Sequence, residues 1–165
     1  MPQPPPAPRS NRNLLIVIII LLVLILAGGT IPVIGILAAI AIPNFVVMQY
    51  RAKRAELPLN VDGIKTAEMA YDAAFDMYLE IPTAVPVDPM MVGRMPHDWP
   101  SGTPFDDLGW APYGQLRGTY WVELSPDGSD FTVHGVCDVD GDGDPAHYTA
   151  TRTENATLLS YSNVY

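Results

Sequence analysis

From Leu14 to Val47 the chain carries two polar side chains, Thr30 and Asn44, and no charge. As one helix these residues extend about 50 Å, against about 30 Å of bilayer hydrocarbon. Either the helix projects beyond a membrane or it breaks. Gly28, Gly29 and Pro32 are where a break costs least, because glycine loosens a helix and proline removes a backbone donor. The preferred reading is a span over Leu14 to about Ile34 followed by a projecting helix, with a re-entrant hairpin as the alternative. A signal-peptide core in Leu14–Ala27 is opposed by the apolar sequence that continues past Gly28-Gly29.

Charge divides at the end of this run. Arg9, Arg12, Arg51, Lys53 and Arg54 precede Glu56, with no acidic residue among them. The other four basic residues and all 18 acidic ones follow, so residues 56–165 carry −14 of a chain total of −9. Such a domain repels phosphates, and nucleic acid is excluded as a partner. Arg9 and Arg12 favour a cytoplasmic N-terminus, whereas Arg51, Lys53 and Arg54 pull the other way. The expected location is the inner membrane, crossed once, with the acidic domain in the periplasm. The single cysteine, Cys137, allows no intrachain disulfide and is expected to be a small buried side chain.

Five segments follow in order. Residues 1–13 are Pro-rich and basic and read as disordered. Residues 14–42 read as a transmembrane helix. Residues 43–81 read as an amphipathic helix, with Val61, Ile64, Ala67, Tyr71, Ala74 and Tyr78 at steps of three and four. Pro58 is a candidate kink and Pro82 the expected stop. Glu68, Asp72, Asp76 and Glu80 form an acidic strip, either solvated or facing basic groups such as Arg51, Lys53 and Arg54 of a neighbouring subunit. Residues 82–118, rich in Pro and Gly, read as a long loop anchored by Trp99, Phe105, Trp110 and Tyr113.

Residues 119–165 read as an antiparallel β-sheet. Thr119–Leu124 and Phe131–Cys137 alternate and flank the turn signal Ser125–Asp130, which predicts a hairpin. His147–Thr153 adds a third strand, and Thr157–Tyr161 is a candidate fourth. The expected fold class is α+β, a long N-terminal transmembrane and amphipathic helix packed on a three- or four-stranded antiparallel sheet.

GILAAIAIPNF (Gly35–Phe45), then a basic patch and TAEMAYDAAF, resembles the N-terminal helix of type IV pilins and pseudopilins. FDDLGWAPYGQLRGTYWVEL and FTVHGVCDVDGDGDPAHYTATR are similar to the C-terminal half of pilin-like proteins of the myxobacterial kind. The resemblance implies a pilin-like fold, an inner-membrane precursor and a filament core of packed helices. Gly35, Ala38, Ala39 and Ala41 would let neighbouring helices approach, as small residues do in lipid, and Pro43 matches a family proline. The family motif is a Gly, then Phe or Met, Thr, Leu, an apolar residue and Glu, cut after the Gly. With Pro43 aligned, its Gly and Glu positions fall on Leu21 and Leu26, and no acidic residue precedes Glu56. Two functions therefore stand side by side. One is a structural subunit of a type IV pilus or type II secretion assembly, contacting membrane lipid and other pilin-like subunits. The other is a non-polymerising, membrane-anchored periplasmic binding or adhesion module. An enzyme is not expected: the chain has no nucleophile elbow, HExxH or phosphate loop.

Asp138, Asp140, Asp142 and Asp144 are the one constellation with ligand character. Oxygen at alternate positions and Gly143 at the sixth match the first half of an EF-hand-like loop, so calcium is the candidate cofactor. Position twelve is Thr149 where such a loop carries Glu. The plain alternative is an Asp/Gly turn between strands. His97, His134 and His147 show no metal-ligand spacing, and no catalytic residue is expected.

Overall fold

The computed structural model describes residues 11–161 and 163–165. The expected disorder of residues 1–10 lies outside them. The chain forms two compact units, up to Val46 and from Val47 onward.

Helix α1 runs over Arg12–Arg54 without a break. The candidate break at Gly28-Gly29-Pro32 and the re-entrant hairpin are thereby corrected, as is an irregular start, because Arg12 and Asn13 are already helical. Pro32 and Pro43 both lie inside the helix. Each costs one backbone hydrogen bond, and the rest of the ladder holds. From Leu14 to Ile42 the large apolar side chains described are all exposed, among them Leu24, Ile25 and Ile34. This helix is long and apolar enough, by length and composition, to cross a membrane.

Helix α2 covers Glu56–Phe75, parted from α1 at Ala55. Pro58 sits in its first turn, where a missing N–H leaves no intrahelical bond unmade; it starts a helix and does not kink one. The helix ends six residues before the expected Ile81. Asp76 adopts the left-handed conformation (φ 55°), and its N–H donates to Asp72 O at 2.8 Å, closing the last turn.

Five strands form one antiparallel sheet in the order β1-β2-β3-β4-β5: Ile81–Val85, Gly118–Leu124, Phe131–Cys137, Ala146–Thr151 and Thr157–Leu158. That is one strand more than the three or four expected. The addition is β1, hidden in sequence because Pro82 reads as a breaker. As an edge strand it tolerates a proline whose missing N–H faces no partner. The rest of the expected loop is also more ordered, with a 3₁₀ turn at Pro89–Met91, a one-turn helix α3 at Pro104–Asp107, and a bridge between His97 and Leu116.

Strand alternation sorts the sheet into two faces. Tyr120, Val122, Phe131, Val133 and Ala150 point into the core, where Leu57, Val61 and Ile64 of α2 cover them. The helix approaches closely because the sheet offers glycine beneath it. A β-carbon on Gly118 would stand 2.3 Å from Leu57 Cδ1, and one on Gly135 would stand 2.6 Å from Val61 Cγ2. Tyr120 lies between them, fully buried, and its hydroxyl accepts from Asn60 Nδ2 at 2.9 Å. Beside this core, Trp99, Phe105 and Trp110 pack edge-on with centroids 5.3–5.5 Å apart. Tyr113, the fourth expected anchor, is fully exposed.

Glu68 also departs from expectation. It is buried under α2 and takes no part in a solvated strip. One carboxylate oxygen accepts the Leu79 N–H at 3.0 Å, and the other has no hydrogen-bond partner among the described residues. Burial pushes its carboxyl up to about 7, against the smaller opposing effect of the Leu79 bond.

Candidate functional site

Two features of the C-terminal unit carry chemistry. The first is the aspartate loop after β3. Asp138, buried at the end of the strand, accepts Gly141 N–H at 2.6 Å and Gly143 N–H at 3.1 Å. Gly141 and Gly143 have φ of 69° and 87°, a conformation that glycine adopts without strain. Asp142 accepts Asp144 N–H at 2.9 Å, and the Arg94 guanidinium donates to the Asp140 carbonyl. Carboxylate oxygens of Asp138, Asp140 and Asp142 lie within 4.8 Å of one another. Asp144 is not in that group. Partial burial raises the Asp140 carboxyl, helped by the neighbouring carboxylates of Asp138 and Asp142. Three of the four expected ligands therefore converge, on a loop already folded by its own backbone N–H groups.

The second feature is the outer face of the sheet, away from α2. Trp121, Glu123, His134 and His147 project there from β2, β3 and β4 because each falls on the odd phase of its strand relative to the core residues. Trp121 is paired across strands with His134, and Val136 with His147. The Trp121 and His134 rings stack at 4.7 Å with 4° between planes, and His147 lies 5.8 Å from Trp121 on a 28° tilt. His134 Nδ1 and His147 Nε2 are 3.0 Å apart. Glu123 accepts the Trp121 indole N–H at 2.9 Å and brings its other oxygen to 3.7 Å from His134 Nε2. Burial lowers the pKa of both histidines, partly countered by Glu123, and His147 adds to the lowering of His134. Trp121 and His147 also line a cavity of about 540 Å³, walled by Met90, Val92, Val136 and Asp138 among others. Thr119 fixes the covering segment by donating to Val87 O at 2.5 Å.

The histidines looked scattered because they are 13 residues apart in sequence. Alternation was the available signal. His134 shares a phase with Val136, and an antiparallel register through the Asp/Gly loop sets His147 diagonally beside it. Cys137 is buried, which pushes its thiol up to about 12.

A long apolar helix and a helix-covered antiparallel sheet define a pilin-like α+β architecture. Over 48 residues the chain is 44% identical to the type IV major pilin protein PilA of Myxococcus xanthus (strain DK1622), a match covering 29% of this chain and 22% of that one. The chain thus spans about a fifth of the length of the curated relative it matches. No family model and no solved structure matches it. The apolar helix fits anchoring in a membrane.

Proposed function

We propose that this protein is a structural subunit, pilin- or pseudopilin-like, of a type IV pilus or type II secretion assembly. It sits in the inner membrane through α1, with its acidic domain in the periplasm. The observation that carries the reading is the unbroken apolar surface of α1. That surface has two uses, solvation by lipid and packing against the same helix of other subunits. Gly28, Gly29 and Gly35 have no atom within 4 Å of an added β-carbon in the single chain, which leaves room for a neighbouring helix. The test is shearing of cell-surface filaments with detection of this chain in the sheared fraction, alongside deletion of its gene. The reading expects incorporation and a defect in motility or secretion. Absence from filaments and secretion complexes, with both phenotypes intact, overturns it.

A second reading is favoured by Leu26, which stands where the family places its Glu. On this reading the protein is a membrane-anchored periplasmic binding or adhesion module that never polymerises. An intact mass that retains the residues before Gly28, found in the membrane fraction alone, selects it over the first. In either case Asp138, Asp140 and Asp142 are proposed to hold calcium, with no catalytic role for the loop.

A further inference from the structure

The outer-face histidines carry a proposal that is independent of the filament reading. We propose that His134 Nδ1 and His147 Nε2 form a two-imidazole site for a divalent transition-metal ion of the Ni²⁺ or Cu²⁺ type, with Glu123 as its positioning residue.

The argument starts from the spacing. Bonds from a metal to imidazole nitrogen are about 2.0–2.1 Å. Two such bonds to nitrogens 3.0 Å apart subtend roughly 95° at the metal. That is the angle between neighbouring ligands in square-planar or octahedral coordination, and it is tighter than a tetrahedral site needs. The rings differ in what holds them. His134 is stacked flat on Trp121, so its plane is fixed. Its Nε2 is buried and lacks a hydrogen bond among the described residues, yet Glu123 stands 3.7 Å away. A small shift of that exposed carboxylate lets it accept a hydrogen bond from Nε2–H. This leaves Nδ1 bare, which is the arrangement in which a carboxylate orients a metal-bound histidine. Glu123 is itself steadied by the Trp121 indole N–H.

Metal-free, the two nitrogens share one hydrogen, donated by one ring to the other. On binding, His147 carries its single proton at Nδ1, and Nε2 becomes the second donor. No proton leaves the protein. Imidazole suits such metals, whereas calcium and magnesium prefer oxygen. The site is therefore chemically distinct from the aspartate loop. His147 also walls the outer-face cavity, beside Trp121 on which the His134 ring is stacked.

The experiment uses the full chain in detergent micelles, titrated with Ni²⁺ by calorimetry and by NMR of the three tryptophan indole N–H signals. The expected result is saturable binding at one ion per chain. Paramagnetic broadening should fall on Trp121 and spare Trp99 and Trp110. His134→Gln and His147→Gln should each lower the affinity more than about tenfold, and Glu123→Gln by roughly 10–100-fold, while His97→Gln changes nothing. Glu123→Gln keeps the test valid if a histidine variant fails to fold. Absence of saturable binding overturns the proposal. So does binding that survives both histidine changes and is lost on Asp138→Asn with Asp140→Asn.

Discussion

Val61 Cγ2 lies 2.6 Å from the place where a β-carbon on Gly135 would stand. The helix and the sheet are in contact through a residue with no side chain, and the Tyr120 ring closes the same spot at 3.2 Å. Gly135→Ala must therefore push α2 away or distort Tyr120. The expected cost is about 1–3 kcal/mol, typical of overpacking a filled core. Gly93→Ala, with nothing within 4 Å, is the control and should be near neutral. Denaturant unfolding followed by tryptophan fluorescence checks both.

Glu56 ties the first turn of α2 to the start of β2. One of its carboxylate oxygens accepts Arg117 N–H at 2.5 Å and Gly118 N–H at 3.0 Å. Glu56→Ala leaves two backbone donors without their acceptor and should cost about 2–4 kcal/mol. Glu56→Gln keeps an acceptor and should cost less than half as much. The comparison separates the hydrogen bonds from the charge.

Glu68 gives the domain a pH dependence of definite sign. Its carboxyl rises from 4.5 in an unfolded chain to about 7 in the fold, so between these values the folded state binds more protons. Its contribution is fully present below pH 4.5 and is lost as pH rises toward 7, on the order of 2–3 kcal/mol. His134 and His147, with lowered values, act in the opposite sense, adding stability that is lost as pH falls. The difference between wild type and Glu68→Gln isolates the glutamate. The wild type should lose stability relative to the variant from pH 4.5 to 7, and a difference independent of pH refutes the assignment.

Calcium at the aspartate loop predicts a linked stabilisation. At a free concentration one hundred times the dissociation constant, the gain is about 2.7 kcal/mol. The thermal midpoint of the wild type should rise with calcium, and that of Asp140→Asn should not. Equal shifts in the two proteins place any bound ion elsewhere.

Sequence pattern located the apolar run of α1, the helical stripe that α2 buries and the β2–β3 hairpin, but neither the break at Ala55 nor the end of α2 at Phe75. Repeating apolar positions leave few ways to remove surface from water, and local turn chemistry at Ser125–Asp130 fixes the register. Asp127 shows how local that chemistry is. Hydrogen bonds from Ser125 and Ser129 hold its carboxyl down to about 2. The convergence of carboxylates in the aspartate loop was legible for the same reason, since Asp138, Asp140 and Asp142 lie within five consecutive residues.

Only the tertiary structure decided where Pro82 belongs, which acidic residue of α2 is buried, and that His134 meets His147. A proline breaks a helix and is tolerated on a sheet edge, and only pairing with β2 distinguishes the two outcomes. Glu68 is buried because the chain folds back beneath α2 and brings Leu79 to it. The two histidines meet because strand register acts between residues distant in sequence. Sequence spacing fixes what one element exposes, whereas the meeting of side chains from different elements depends on how those elements pack.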